Sequence, residues 1–188
     1  MGLRDVLFGR KKLAEPKEDR LFALTTASVT LLTELGLKTA GVAAITFKPQ
    51  SSGEFRSVFD DVDNLIEAAA ASTGSKIEQK SDDYGFEWVI VRDQELEDLV
   101  TTVHVIAQEL TDQGFGAQLL AAMFRFNGGE HPVYWIYGFK LGTFWPFIPI
   151  GDEQRDNATE LELKAKLEDE LPVEQDLTHW LALFDAPL

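Results

Sequence analysis

A chain of 188 residues that is 45% hydrophobic, with 13 Phe and 4 Trp, can build one packed core without a disulfide or metal to staple it. It holds no cysteine, which excludes disulfides, thiolate metal sites and cysteine nucleophiles together. Its formal charge of −15 repels nucleic-acid phosphates, and no basic face stands out to override that, so nucleic acid is not an expected partner. The charge is uneven. Residues 1–12 carry four cations against one anion, whereas residues 151–188 carry three cations against eleven anions.

In chain order, Leu3, Val6 and Leu7 fall at i, i+3 and i+4, with Arg10, Lys11 and Lys12 following. This is an amphipathic turn or two with a cationic exit, fitting a detachable arm that docks a partner or touches an anionic membrane weakly. The alternative is a frayed terminus, because so few residues cannot hold a helix alone. Arg4 and Asp5 interrupt the apolar h-region that a signal peptide would need. A charged stretch containing Pro16 then reads as a linker. Residues 1–18 are thus expected to be arm and linker, and 19–188 a single globular domain.

A helix is expected through about 20–35, with Leu24, Leu31, Leu32 and Leu35 on its buried side and Gly36 ending it. Gly41–Phe47 reads as a short buried strand closed by Pro49. Ser51 and Glu54 have capping-box spacing ahead of a helix whose apolar stripe runs from Phe55 to Ala69. Strands near 76–80 and 85–92 flank a turn. Asp93 is expected to cap the next helix, where Leu96, Leu99, Val100, Val103, Ile106, Ala107 and Leu110 lie on one side.

From 117 the period changes to two, with apolar residues on both faces of the strand, so this part of the sheet should be covered on both sides. Asn127-Gly128-Gly129 signals a hairpin into a strand at 132–139. Residues 133–150 concentrate aromatic side chains between Gly and Pro punctuation. Pro146 cannot donate to a ladder, so its strand should lie at an edge or turn irregular. Asp152 is expected to cap a final acidic helix to about 170, after which Leu177, Trp180, Leu181 and Phe184 fold back. Helices alternate with hairpins, which favours α+β: a mainly antiparallel sheet of five to six strands flanked by helices and ending in the acidic one.

No apolar run approaches the ~20 residues a spanning helix needs, so a cytoplasmic protein is expected. His104, His131 and His179 lie far apart in no zinc pattern, and no cofactor or metal is expected. Nucleophile-elbow, Walker and zincin motifs are absent. The polar cluster with most claim is Arg155-Asp156-Asn157. Arg155 can pair with Asp152 or Glu160, or reach the ring of Phe144 or Trp145. As a catalytic unit it lacks a nucleophile and a base. With Phe144, Trp145 and Phe147 it forms the candidate interaction surface, since aromatics and Arg anchor interfaces.

A collinear series of short motifs adds an identity to this reading. It runs from Met1-Gly-Leu-x-Asp-x-Leu-Phe-Gly9 and Leu21-Phe-Ala-Leu24 through Glu34-Leu-Gly-Leu37 and Tyr84-Gly-Phe-x-Trp88 to Gly114-Phe-Gly116. Gly142-Thr-Phe-x-Pro-Phe147, Arg155-Asp-Asn157 and Leu171-Pro-Val-Glu-Gln-Asp-Leu177 complete it. In this order the chain resembles the PspA-associated PspAB family almost end to end. The resemblance implies a process, envelope stress, rather than a reaction, and carries over no catalytic residue. It implies a non-enzymatic accessory protein that binds a PspA-like coiled-coil protein, peripheral at the inner face of the cell membrane if the arm engages lipid. A small-molecule or lipid-sensing domain, with a pocket under the aromatic sheet, is the alternative. Neither reading sets an oligomeric state.

If residues 1–12 serve recognition, a chain lacking them should melt as the full chain does but bind its partner or anionic vesicles less well. If they serve the fold, truncation should cost more than ~1 kcal/mol, as each buried aliphatic side chain is worth ~1.5–3 kcal/mol. Thermal melting and liposome flotation with both constructions of the chain separate the two.

Overall fold

The computed structural model describes residues 17–48, 74–151 and 153–188. The arm residues Leu3, Leu7, Arg10, Lys11 and Lys12, the helix expected from Ser51 to Ala69, and Asp152 lie outside the described residues.

The first described element is helical but broken. A 3₁₀ turn, Glu18–Phe22, leads into α1 (Ala23–Thr26) and α2 (Ser28–Thr33). Thr25 Oγ1 donates to Phe22 O at 2.7 Å and Thr33 Oγ1 to Val29 O at 2.8 Å. Such hydroxyl back-bonding competes with the helical ladder and bends it, so the continuous helix expected over 20–35 is interrupted at Ala27. Leu24 and Leu31 are fully buried, but Leu32 is exposed. Leu31 already holds the inward position, and its neighbour is rotated away from it.

β1 (Lys38–Phe47) is longer than expected because a bulge extends it toward the N-terminus. Gly41 sits in that bulge at φ 73°, where an added Cβ would stand 2.9 Å from Asp93 O. The backbone there needs glycine twice over, for its dihedral and for its clearance. β2 (Lys76–Ser81) and β3 (Glu87–Arg92) form a hairpin, β4 (Leu119–Asn127) and β5 (Val133–Gly138) a second, and β6 (Thr143–Phe147) follows. Together they make a six-stranded sheet of order β2-β3-β1-β4-β5-β6. Every pairing is antiparallel. β6 is an edge strand, as Pro146 requires. The protein is α+β with an antiparallel sheet.

α3 (Leu96–Asp112) carries the chain from β3 across β1 to β4, and packs on all three strands and on the N-terminal turn. Its stripe from Leu99 to Leu110 is buried, as the period of 3.6 demands. Glu95, rather than Asp93, is its N-cap. Asp93 stands two residues ahead, accepting from Glu95 N at 3.0 Å and Ser75 Oγ at 2.8 Å. A short local turn has taken the side chain that was expected on the helix.

On the face that meets the N-terminal layer, Trp135 of β5 pairs with Phe124 of β4, and Tyr137 donates its hydroxyl to Lys17 O. The opposite face receives the C-terminal segment. After a small ribbon, β7 (Pro149–Gly151) and β8 (Gln154–Arg155), α4 (Asn157–Leu167) packs beside β6. It is shorter than expected and is capped by Asp156, which replaces the expected Asp152. Residues 172–174 then bond to the free edge of β6, with Phe144 N donating to Pro172 O at 2.9 Å and Glu174 N to Phe144 O at 2.8 Å.

Trp88 and Trp135 are both buried, on β3 and β5, with two strands between them and on opposite faces by register. Trp135 Nε1 has no hydrogen-bond partner among the described residues, so its ring contributes volume alone. Trp135→Ala should therefore cost about 3–5 kcal/mol. Trp135→Phe abandons no hydrogen bond and should cost well under half as much. Chemical denaturation of both variants checks this, and equal losses would mean that the indole is not a volume-only residue.

Candidate functional site

The site begins with one row of side chains running across the sheet. Register places Trp88 opposite Thr46, Thr46 opposite Ala121, and Ala121 opposite Gly138. Directly paired residues share a face, so this row is large at β3 and small across β1, β4 and β5. At the far side stands Trp145 of β6, whose ring leans over Gly138. A Cβ on Gly138 would stand 2.9 Å from Trp145 Cζ3, so the glycine makes room for that ring. Two tryptophans with three small residues between them make a trough.

The C-terminal segment roofs the trough. It is fastened through its backbone by side chains of the sheet and its edge. Trp145 Nε1 donates to Leu181 O at 3.0 Å and Arg155 Nη1 to Trp180 O at 2.8 Å. Phe184 stacks edge-on against Phe147 at 5.1 Å, and Trp180 is itself buried and donates to Glu174 O. Between roof and floor lies a cavity of about 560 Å³. Its walls are Leu141, Leu183 and Phe184 with the two tryptophans, and its mouth carries Tyr84, Leu181, Lys140, His179, Asp82 and Asp185. Tyr84 is 66% and Leu181 61% exposed.

The polar groups of the lining are largely engaged elsewhere. Asp82 accepts from Trp88 Nε1 at 2.9 Å and from the Tyr84 and Phe86 amides, both at 2.9 Å. Burial raises its carboxyl, but these hydrogen bonds outweigh burial and hold it below its ordinary value. Thr46 Oγ1 is buried with no hydrogen-bond partner among the described residues. Among the described residues no helix is long and apolar enough to cross a membrane, and no group of three or more potential metal ligands is gathered.

The residues expected to form an interaction surface are drawn together, but inward. Phe144, Trp145 and Phe147 are all buried: Trp145 and Phe147 face the segment from Trp180 onward, while Phe144, on the other face of β6, packs on Tyr137 at 4.7 Å. They are core residues rather than exposed anchors. Arg155 works as a clamp. Its Nε donates to Glu160 Oε1 at 3.0 Å and Oε2 at 2.8 Å, Nη1 to Trp180 O, and Nη2 to Pro146 O at 3.2 Å. Its guanidinium lies 5.3 Å from the Phe147 ring, so the cation–π partner is Phe147 rather than Phe144 or Trp145.

Glu160 is 1% exposed and also accepts from Ile148 N at 2.8 Å. Burial pushes its carboxyl up, and Arg155 and the Ile148 amide pull it partly back. Asp156 caps α4, accepting from Thr159 N at 3.1 Å and from Thr159 Oγ1 at 2.6 Å, which lowers its carboxyl. Asn157 is exposed at the first position of α4.

Sequence reasoning held a pocket under the aromatic sheet only as an alternative and named none of the residues that form the trough. The available signal was Ala121 and Gly138, small residues within strands otherwise built from Leu, Met, Phe, Tyr and Trp.

The chain as a whole, residues 1–188, matches the family model PspAB, PspA associated protein B, and belongs to that family. Comparisons with curated proteins and with solved structures return no match.

Because Arg155 offsets the buried charge of Glu160, Arg155→Ala should cost about 3–5 kcal/mol at neutral pH. A carboxyl whose folded value is raised contributes full stability below its ordinary value and loses it as the pH rises through the raised one. Without Arg155 that raised value climbs further, so the loss should shrink on acidification, and Glu160→Gln should recover part of it. Melting curves from pH 5 to 8 test this, and a loss independent of pH would remove Glu160 from the account.

Proposed function

We propose that this member of the PspA associated protein B family is a non-enzymatic accessory protein that acts by binding a PspA-type protein. The family match over residues 1–188 carries the reading. The reaction of such a protein is recognition, in a membrane-stress response and on the cytoplasmic side. A contact of residues 1–12 with the inner face of the membrane belongs to the same proposal.

The outward face of α4 is the part of the described surface that suits a basic partner. Glu160, Leu163 and Leu167 point inward, which leaves Leu161, Glu162, Ala165 and Asp169 on the other side. Leu161 is 45% exposed, an apolar spot in an acidic frame. Glu168, Asp169 and Glu170 gather just beyond the C-terminal end of α4, where the helix dipole disfavours negative charge. Lys164 meets Glu168 at 2.8 Å and Glu170 accepts from Thr30 Oγ1 at 2.7 Å, with Lys166 also in the last turn. Asp169, exposed and placed against the local field, supports a role beyond helix stability, and a basic stretch on the partner would repay it.

The test is a titration of the full chain with the PspA-type protein of the same organism, at two salt concentrations. Binding should weaken as salt rises. Glu162→Lys with Asp169→Lys should weaken it by about tenfold, mainly through the association rate, while leaving the melting temperature within a few degrees. Absence of association at low salt would overturn the proposal, and undiminished binding by the double variant would move the contact away from α4.

A further inference from the structure

We infer that the roofed trough is a binding site for a single-chain anionic amphiphile, with its alkyl chain on the floor between Trp88 and Trp145 and its head at the mouth beside Lys140. The inference goes beyond the accessory role and does not depend on it.

Size comes first. A space of about 560 Å³ falls within the range of small-ligand pockets, roughly 300–1,000 Å³. It is too large to be a packing defect, since voids in close-packed interiors rarely exceed a water molecule. Next is the chemistry of the lining. Both indole N–H groups are already spent, on Asp82 and on Leu181 O. Along the floor only Thr46 brings a hydroxyl, and Ala121 and Gly138 bring nothing polar. A ligand rich in hydrogen-bonding groups would lose its hydration without replacement, whereas an alkyl chain would lose nothing.

The mouth sets the polarity. Lys140 is exposed there and enters no ion pair or hydrogen bond given among the described residues. Asp82, the acid on the turn between β2 and β3, is turned to its own backbone amides and to Trp88. His179 is turned to its own segment, 3.5 Å from Glu174 and 3.9 Å from Asp176. Among the described residues that line the space, Lys140 is thus the cation placed to meet a carboxylate or phosphate head, with Asp185 the acid against it. The net charge of −15 opposes an anion at long range, so affinity must rest on the buried chain, and Lys140 decides which end stays outside. The roof offers a route in. It is held by backbone-directed hydrogen bonds from Trp145 and Arg155 rather than by a strand ladder, and Tyr84 and Leu181 already expose apolar surface at the opening.

The test uses the full chain and dansylaminoundecanoic acid as a fluorescent probe. Saturable binding of one probe per chain is expected, with displacement by unlabelled fatty acids that tightens about threefold to fourfold per added methylene until the trough is full. Ala121→Leu fills the floor and should weaken the probe at least about tenfold. Lys140→Glu, at an exposed position, should weaken fatty acids several-fold and leave a long-chain alcohol unchanged. Non-saturable binding, or no dependence on chain length in the parent, overturns the site whether or not Ala121→Leu folds. Full affinity in a folded Ala121→Leu chain also overturns it. Equal weakening of acid and alcohol by Lys140→Glu overturns the placement of the head.

Discussion

The buried pair of Arg155 and Glu160 is the constraint on which the C-terminal third depends. One guanidinium reaches the carboxylate, two backbone carbonyls and a ring, and these belong to α4, the edge strand β6 and the returning segment. A charge taken out of water is tolerated only when such bonds replace its hydration. Here the replacement ties together three pieces of chain that no strand ladder connects. Residues 172–174 add a short bridge to Phe144, but the roof beyond Trp180 rests on single hydrogen bonds and one aromatic contact.

That arrangement links stability to function. A roof laid across a sheet by side chain to backbone contacts can cover a trough without filling it, because its own side chains need not interdigitate with the floor. Tight interdigitation is seen on the other face, where α3 and the N-terminal turn meet Trp135, Tyr137 and Phe124 in full burial. The two faces differ because of the residues that β1, β4 and β5 present. Ala121 and Gly138 leave space where their neighbours on the reverse side, Ala122 and Tyr137, are closed in by a helix. The acidic outer helix and the apolar recess give the protein two surfaces of different chemistry.

The caps show how local competition misleads a sequence reading. Asp93 and Asp152 both precede helices at plausible cap positions. Asp93 instead closes its own turn and holds Ser75, while Asp156, four residues beyond Asp152, caps α4. An aspartate has several nearby amides within reach, and which one it takes depends on where the preceding strand delivers the chain. The aromatic cluster misled for a different reason. Trp145 and Phe147 share one face of β6 and Phe144 lies on the other, a pattern compatible with a core and with a docking face, and only what covers each face decides.

The sequence by itself determined the strands of the sheet, the long helix α3 and the α+β class, because those rest on local periodicity. The stripe of α3, the alternation of β4, the hairpin turns and the edge position forced by Pro146 are all written within a few residues of one another. It also determined family membership, through motifs spread along the whole chain. The tertiary structure alone decided the trough and the clamp. Thr46, Ala121 and Gly138 become neighbours only through strand register, and Arg155 meets Trp180 only after the chain reverses. Both depend on contacts between residues far apart in sequence, and the spacing of side chains along the chain carries no information about that distance.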